Sequence, residues 1–279
     1  MAVLRTEQPL RVGADGRMSG LWGLGLAGCV ALVGYRLRLL TLGGALSALA
    51  VGASVFGIGG WAASAPMLAF FFSGSLLPRL LGRPHKTERR TALQVLANGL
   101  APTLCCWSAW ALPEHALACW WGYAAGLATA AADTWATEFG TRFGKGARHI
   151  LTGSPVPKGE SGGVSFVGTL GGGAGALAIA LLSAPLMHNR AAAIVTVAAL
   201  GVAGMLLDSL LGATLQARYA CPVCQAIGEQ RQCCNTRAQP HRGVHWMDNN
   251  TVNLLSVCWG ALSGIAFYLL EALLHTNGD

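Results

Sequence analysis

Charge is scarce in this chain: 11% of its 279 residues are Asp, Glu, Lys or Arg, while 53% are hydrophobic. A soluble domain carries about 25% charged residues, so this shortage argues against a water-soluble helical bundle. The strict polar–apolar alternation of a membrane β-barrel is missing too. What remains is a set of continuous apolar runs, separated by clumped charges. A helix needs about 20 apolar residues to cross the roughly 30 Å hydrocarbon core of a bilayer, and in lipid it satisfies its own backbone hydrogen bonds. No cleavable signal peptide is evident, because residues 1–17 are polar and no convincing cleavage site follows the first apolar run. No soluble domain and no alignable internal repeat stand out. The expected fold is all-α: a polytopic helical membrane protein with about eight transmembrane helices, at 18–35, 39–59, 61–78, 92–112, 115–137, 163–187, 191–215 and 251–274. A polar N-terminal segment, 1–17, precedes a single transmembrane domain, 18–274, whose loops include 140–162 and 216–250. The first three spans form one glycine-rich region, broken only by Arg36, Arg38 and the stretch from Gly57 to Gly60.

The few cations are distributed unevenly. Of the 19 Lys and Arg, 15 fall in the loops joining spans one to two, three to four, five to six and seven to eight. The rest are Arg5, Arg11, Arg17 and Arg190. Because Lys and Arg near span ends stay cytosolic, the loops around Lys86, Lys145 and Arg231 are expected on the cytosolic side and both termini on the other. Basic loops also hold anionic headgroups, so membrane lipids are expected partners.

Polar residues gather on that same basic face. Arg90, Gln94 and Asn98 are spaced four apart and share one helical face. Asp133 and Glu138 close the fifth span, Ser161, Gly162 and Gly163 precede the sixth, Asp208 ends the seventh, and Asn249 and Asn253 open the eighth. Ionisable residues at membrane depth are costly and usually line a working cavity. Helix N-termini offer N–H groups and a positive dipole end to phosphate, and Mg²⁺ prefers one or two carboxylates plus substrate phosphates. The pattern therefore suggests Mg²⁺ at Asp133 and Asp208, phosphates on Lys158, Arg142, Lys145, Ser161, Gly162 and Gly163, and substrate positioned by Arg90, Gln94, Asn98, Glu138, Asn249 and Asn253. The plain alternative for each acid is an ion pair with a loop arginine or exposure at the interface.

Two further strings stand out. Residues 153–175 are glycine-rich; the first half is a turn-rich cradle without a Walker A pattern, and the second half, with Gly168, Gly172 and Gly171, Gly175 four apart, suits close helix packing. Residues 216–250 hold Cys221-x2-Cys224 and then Cys233-Cys234. One CxxC and a third Cys make a candidate zinc knuckle, with Cys234, His241 or His245 as fourth ligand; a reducing cytosol disfavours disulfides there. Plain reduced thiols are the alternative.

Taken together, residues 132–144, 157–175, Leu206–Gln216, the cysteine loop and Trp246–Ser256 resemble the transmembrane protein 19 family, and Arg90-x3-Gln94-x3-Asn98-Gly99 fits it as well. That family includes a plant phytyl-phosphate kinase, so the resemblance implies phosphorylation of an isoprenyl monophosphate. More distantly, Ala132-Asp133-x2-Ala136-x3-Gly140-x-Arg142-Phe143-Gly144 is similar to a motif of CTP-dependent polyprenol kinases and phosphatidate cytidylyltransferases, although the spacing after Gly144 differs. In those enzymes the acid and the following basic loop handle nucleotide and Mg²⁺.

The expectation is a membrane-embedded, Mg²⁺-dependent kinase or related transferase. It would use CTP or ATP on a lipid monophosphate at the cytosolic face, with Asp133, Asp208 and Lys158 as its catalytic group and Zn²⁺ as a candidate structural ion. A nucleoside triphosphate and a prenyl phosphate are the expected partners; nucleic acid is not. The endoplasmic reticulum and a plastid envelope both accommodate such a protein. The rivals are an ion or solute transporter and a non-catalytic scaffold; a transporter is expected to carry its polar groups near the midplane in paired broken helices.

Overall fold

The computed structural model describes residues 20–82 and 89–276, with side chains to residue 274. The polar segment 1–17, the first residues of the span expected at 18–35, and Arg83 and Lys86 lie outside the described residues. Within them are seven α-helices: α1 (Gly20–Arg36), α2 (Leu42–Leu80), α3 (Ala92–Ala111), α4 (Ala116–Phe143), α5 (Phe166–Ser183), α6 (Arg190–Thr214) and α7 (Asn249–Thr276).

The helical membrane class stands, but the count of eight spans is not supported. Four stretches are long and apolar enough to cross a membrane by length and composition: Leu42–Leu80, Phe166–Leu186, Arg190–Thr214 and Asn249–Leu274. The spans expected at 39–59 and 61–78 run together as α2, interrupted at Gly60, where φ is 56° and ψ −153°. A residue with a Cβ adopts that backbone conformation only at a cost. Contacts along α1 show what the break does. A Cβ on Gly23 would lie 2.7 Å from the Gly57 nitrogen, whereas one on Gly34 would lie 3.2 Å from the Phe71 ring. Arg79 in turn donates to the carbonyls of Leu37 and Arg38 at 3.0 and 3.2 Å. The early part of α2 thus runs back along α1, and after Gly60 the chain reverses again.

Helix α4 is the hub, packed against α2, α3, α5, α6 and α7. Every residue from Ala118 to Ala132 is buried. Enclosed by other helices, α4 shows little surface to lipid, which explains why its mix of Ala, Gly, Thr, Trp and Tyr is less apolar than a lone span would be. Small residues set the spacing: a Cβ on Gly172 of α5 would sit 2.9 Å from the Ala132 carbonyl oxygen, so only glycine admits this approach. Two polar ties fix α4 against α2. The Tyr123 hydroxyl donates to the Ala63 carbonyl at 2.6 Å, and the Trp135 indole N–H donates to Ser73 Oγ at 3.0 Å.

Short strands, absent from the sequence expectation, organise the two long loops. After α4 come β1 (Ala147–His149), β2 (Pro155–Val156) and β3 (Gly163–Val164), forming an antiparallel sheet in the order β2-β1-β3. After α6 come β4 (Arg218–Ala220), β5 (Ile227–Gly228), β6 (Gln232–Cys233), β7 (Thr236–Arg237) and β8 (Gln239–Arg242). They form an antiparallel sheet β5-β4-β8 and the hairpin β6-β7.

Candidate functional site

Both loops close over one end of the bundle, where α4 and α6 finish and α3, α5 and α7 begin. A cavity of about 480 Å³ opens there. Most residues singled out from the sequence line it. Arg90, Gln94 and Asn98 come from the α3 entrance, Asp133 and Glu138 from α4, and Asp208 from α6. Lys158, Ser161, Gly162 and Gly163 come from the loop before α5, and Asn249 and Asn253 from α7.

Arg142 and Lys145 are corrections: both side chains are exposed and off the cavity wall. Arg142 lies on the outer face of α4, between Thr141 on the cavity wall and buried Gly144, and its guanidinium lies 5.7 Å from the Phe143 ring centroid instead. Lys145 follows the Gly144 cap, where the chain leaves the helix for β1. Sequence reasoning missed the cations that do face the cavity, Arg38 and Arg79. It placed both among the basic loops, but which loop arginine reaches the cavity depends on the reversal at Gly60.

The acids are held differently. Asp208 is buried; its Oδ2 accepts from Ser256 Oγ at 2.9 Å. With its amide nitrogen turned inward, Asn253 donates to the same Oδ2 and to the Asn249 carbonyl, each at 3.1 Å. Asn253 thus orients the acid. Asp133 and Asp208 line the same polar cavity. Carboxylate oxygens are the hard donors that Mg²⁺ takes alongside water and substrate phosphate.

Several polar residues are committed to the wall itself. Gln94 closes a capping box on α3: its Oε1 accepts from the Thr91 N–H at 2.9 Å, and Thr91 Oγ1 accepts from the Gln94 N–H at 3.4 Å. Ser165 caps α5 and Asp248 caps α7. Each N-terminus facing the cavity has therefore already satisfied one N–H, leaving less for an anion than the sequence implied. Arg90 donates to the Gly74 carbonyl at 3.0 Å, and its guanidinium carbon lies 5.5 Å from the Phe70 ring centroid. Ser161 Oγ lies 2.9 Å from Gln216 Oε1 and 2.6 Å from Glu229 Oε1, and its single proton serves one at a time. Buried Arg218 pairs with Glu160 and lies 3.8 Å from Glu229. Gln216 Nε2, on the cavity wall, is a buried donor with no acceptor among the described residues. Sequence reasoning gave Gln216, Glu160 and Glu229 no role, although the first two lie within the strings Leu206–Gln216 and 157–175.

Behind this wall the four loop cysteines converge, their sulfurs all within 4.8 Å of one another. Cys224 Sγ is 3.6 Å from Cys233 Sγ, which is 3.8 Å from Cys234 Sγ. The N–H of Cys224, and less strongly that of Val223, donates toward the Cys221 sulfur and helps bring its pKa down to about 6. His241 and His245 are not part of the cluster.

Comparison with known proteins places this architecture. An uncharacterized membrane protein of Synechocystis sp. is 33% identical over 196 residues, covering 65% of this chain and 74% of that protein. An uncharacterized membrane protein of Methanocaldococcus jannaschii is 29% identical over 212 residues, 72% of this chain and 74% of its own length. Protein PGR of Arabidopsis thaliana is 27% identical over 265 residues, 83% and 90% of the two chains. No solved structure matches. A family model described as "Integral membrane protein DUF92" matches residues 25–261, and with most of the chain so covered, the protein belongs to the DUF92 family of integral membrane proteins.

Proposed function

We propose that this protein is a membrane-embedded, Mg²⁺-dependent phosphotransferase that uses CTP or ATP to phosphorylate a lipid monophosphate, with a prenyl phosphate as the first candidate. The observation that carries this reading is the convergence of Asp133 and Asp208, from two different helices, on one polar cavity that Arg38, Arg79 and Lys158 also line. Asp133 and Asp208 would hold Mg²⁺, and the ion would neutralise charge on the transferred phosphoryl group. The cations would neutralise the remaining phosphate oxygens, and Gln216 Nε2 is a buried donor with room for an acceptor. An oxygen of the acceptor monophosphate forms the new bond to the terminal phosphorus of the nucleotide. The bridging P–O bond breaks, and the nucleoside diphosphate leaves with that electron pair. A phosphate oxygen already carries charge, so alignment and neutralisation serve in place of a strong general base.

Two things support a lipid acceptor. An apolar slot of about 50 Å³, lined by Val51, Phe56, Met67, Phe70 and Phe71, shares Arg90, Gln94 and Asn98 with the polar cavity. A phosphate head and an apolar tail could thus occupy adjoining walls. The resemblance to the transmembrane protein 19 family, with its phytyl-phosphate kinase, points the same way. The cation distribution assigns this end of the bundle to the cytosol.

The test is to incubate purified protein with terminally labelled CTP or ATP, Mg²⁺ and a panel of prenyl monophosphates. Label should appear in a prenyl diphosphate and vanish when Mg²⁺ is chelated. No transfer to any member of the panel from either nucleotide would remove the kinase reading.

A further inference from the structure

We propose that Cys221, Cys224, Cys233 and Cys234 form a closed, structural zinc site that pins the two hairpins flanking Glu229 to the mouth of the cavity. It stands on three observations that do not depend on phosphotransfer.

The first is spacing. Four sulfurs at about 2.3 Å from a tetrahedral Zn²⁺ lie about 3.8 Å from one another. The Cys224–Cys233 and Cys233–Cys234 separations of 3.6 and 3.8 Å match that edge and are far longer than the roughly 2.05 Å of a disulfide.

The second is backbone conformation. Gln225, directly after the CxxC, is left-handed at φ 57°, and the turn is closed by Gln225 N–H to the Cys221 carbonyl at 3.0 Å and Cys221 N–H to the Ala226 carbonyl at 2.9 Å. Cys233 pairs with Thr236 across β6-β7, so Cys234 and Asn235 form a two-residue hairpin loop, left-handed at φ 50° and 57°. Such a loop usually contains glycine. Here the strained pair turns two adjacent cysteines toward one point, and strain of this kind persists where surrounding structure enforces it.

The third is electrostatic. The four sulfurs lie within 4.8 Å of one another, a range at which like charges repel strongly. Four thiolates cannot coexist at this range without a cation, and Zn²⁺ supplies the missing charge. All four positions of the shell are protein sulfur, which marks a structural rather than a catalytic ion.

The placement gives the site its consequence. The Cys221–Cys224 knuckle is the turn between β4 and β5, and Cys233 and Cys234 lie on the next hairpin. Glu229, between the two, reaches Ser161 at the cavity wall.

Protein purified in detergent without chelators should contain about one zinc per chain. Cys224→Ser should lose it, while Cys29→Ser, in α1, should keep it. Should Cys224→Ser fail to accumulate, wild-type protein stripped of zinc and loaded with Co²⁺ should show the thiolate-to-metal charge-transfer band of a tetrahedral thiolate site. Chelation should also speed proteolysis within residues 222–245. Zinc-free wild-type protein with no such Co²⁺ band would overturn the site, as would zinc retained by Cys224→Ser. Unchanged proteolysis on chelation would overturn the pinning. Metal content is read without any transferase assay, so this inference and the kinase reading can fail separately.

Discussion

The two ends of this helical bundle close in different ways. At one end the connections are short: the reversal at Gly60, the turn Pro113–His115 between α3 and α4, and the turn Ala184–Leu186 between α5 and α6. Glu114 and His115 there are exposed. At the other end the loops after α4 and α6 are long enough to build eight strands of their own. They carry the ion pairs of Arg218 with Glu160 and with Glu229, and the four-cysteine cluster. The first end only has to reverse the chain, which tight turns do with few polar groups. The second must hold carboxylates, guanidiniums and thiols in fixed positions beside a cavity, and that takes a hydrogen-bonded loop structure. The contrast argues that function sits at the loop-rich end.

The largest expected effect tests that directly. Asp133→Asn and Asp208→Asn should each lower phosphotransfer by about a thousandfold, and the double variant should be little worse than either, as for groups acting as a unit. Glu114→Gln at the plain end should leave the rate unchanged. Equal losses at both ends would erase the distinction.

Next comes stability. Arg218→Met leaves the Glu160 carboxylate without its buried partner and should cost about 3 kcal/mol, read as a lower unfolding temperature in detergent. At the plain end, Gly60→Ala forces a Cβ into the left-handed reversal and should cost about 2 kcal/mol by the same measurement. A neutral Gly60→Ala would mean that the reversal needs no glycine. The smallest effect is on exposed cations: Arg142→Ala, off the cavity wall, should change the rate far less than Lys158→Ala, and a comparable loss would return Arg142 to the site. Finally, an added cysteine at Lys145 and one at Arg231 should be labelled from the same side of a sealed vesicle, and one at Arg190 from the other.

Much of the candidate site was legible because helix and hydropathy together restrict where a polar residue can be. Arg90, Gln94 and Asn98 repeat every four residues, and Asp133 and Asp208 sit near the same end of neighbouring apolar runs, so the layer they share could be inferred. Which polar atoms are already engaged could not. Gln94 spends its carbonyl on the Thr91 cap, and Asn253 bonds Asp208. The fourth member of the cysteine cluster was also open between Cys234, His241 and His245; the left-handed hairpin at Cys234 and Asn235 brings Cys234 in.

The sequence by itself determined the solvent and the helical class. Scarce charge and apolar runs of bilayer length place the chain in a membrane as helices, because transfer free energy and backbone hydrogen bonding are local properties of each segment. Only the tertiary structure decided that α4 is enclosed and that Arg38 and Arg79 line the cavity while Arg142 and Lys145 face outward. Those outcomes depend on which helix packs against which, and a helix one turn longer or a chain reversal one residue away would point the same side chains elsewhere.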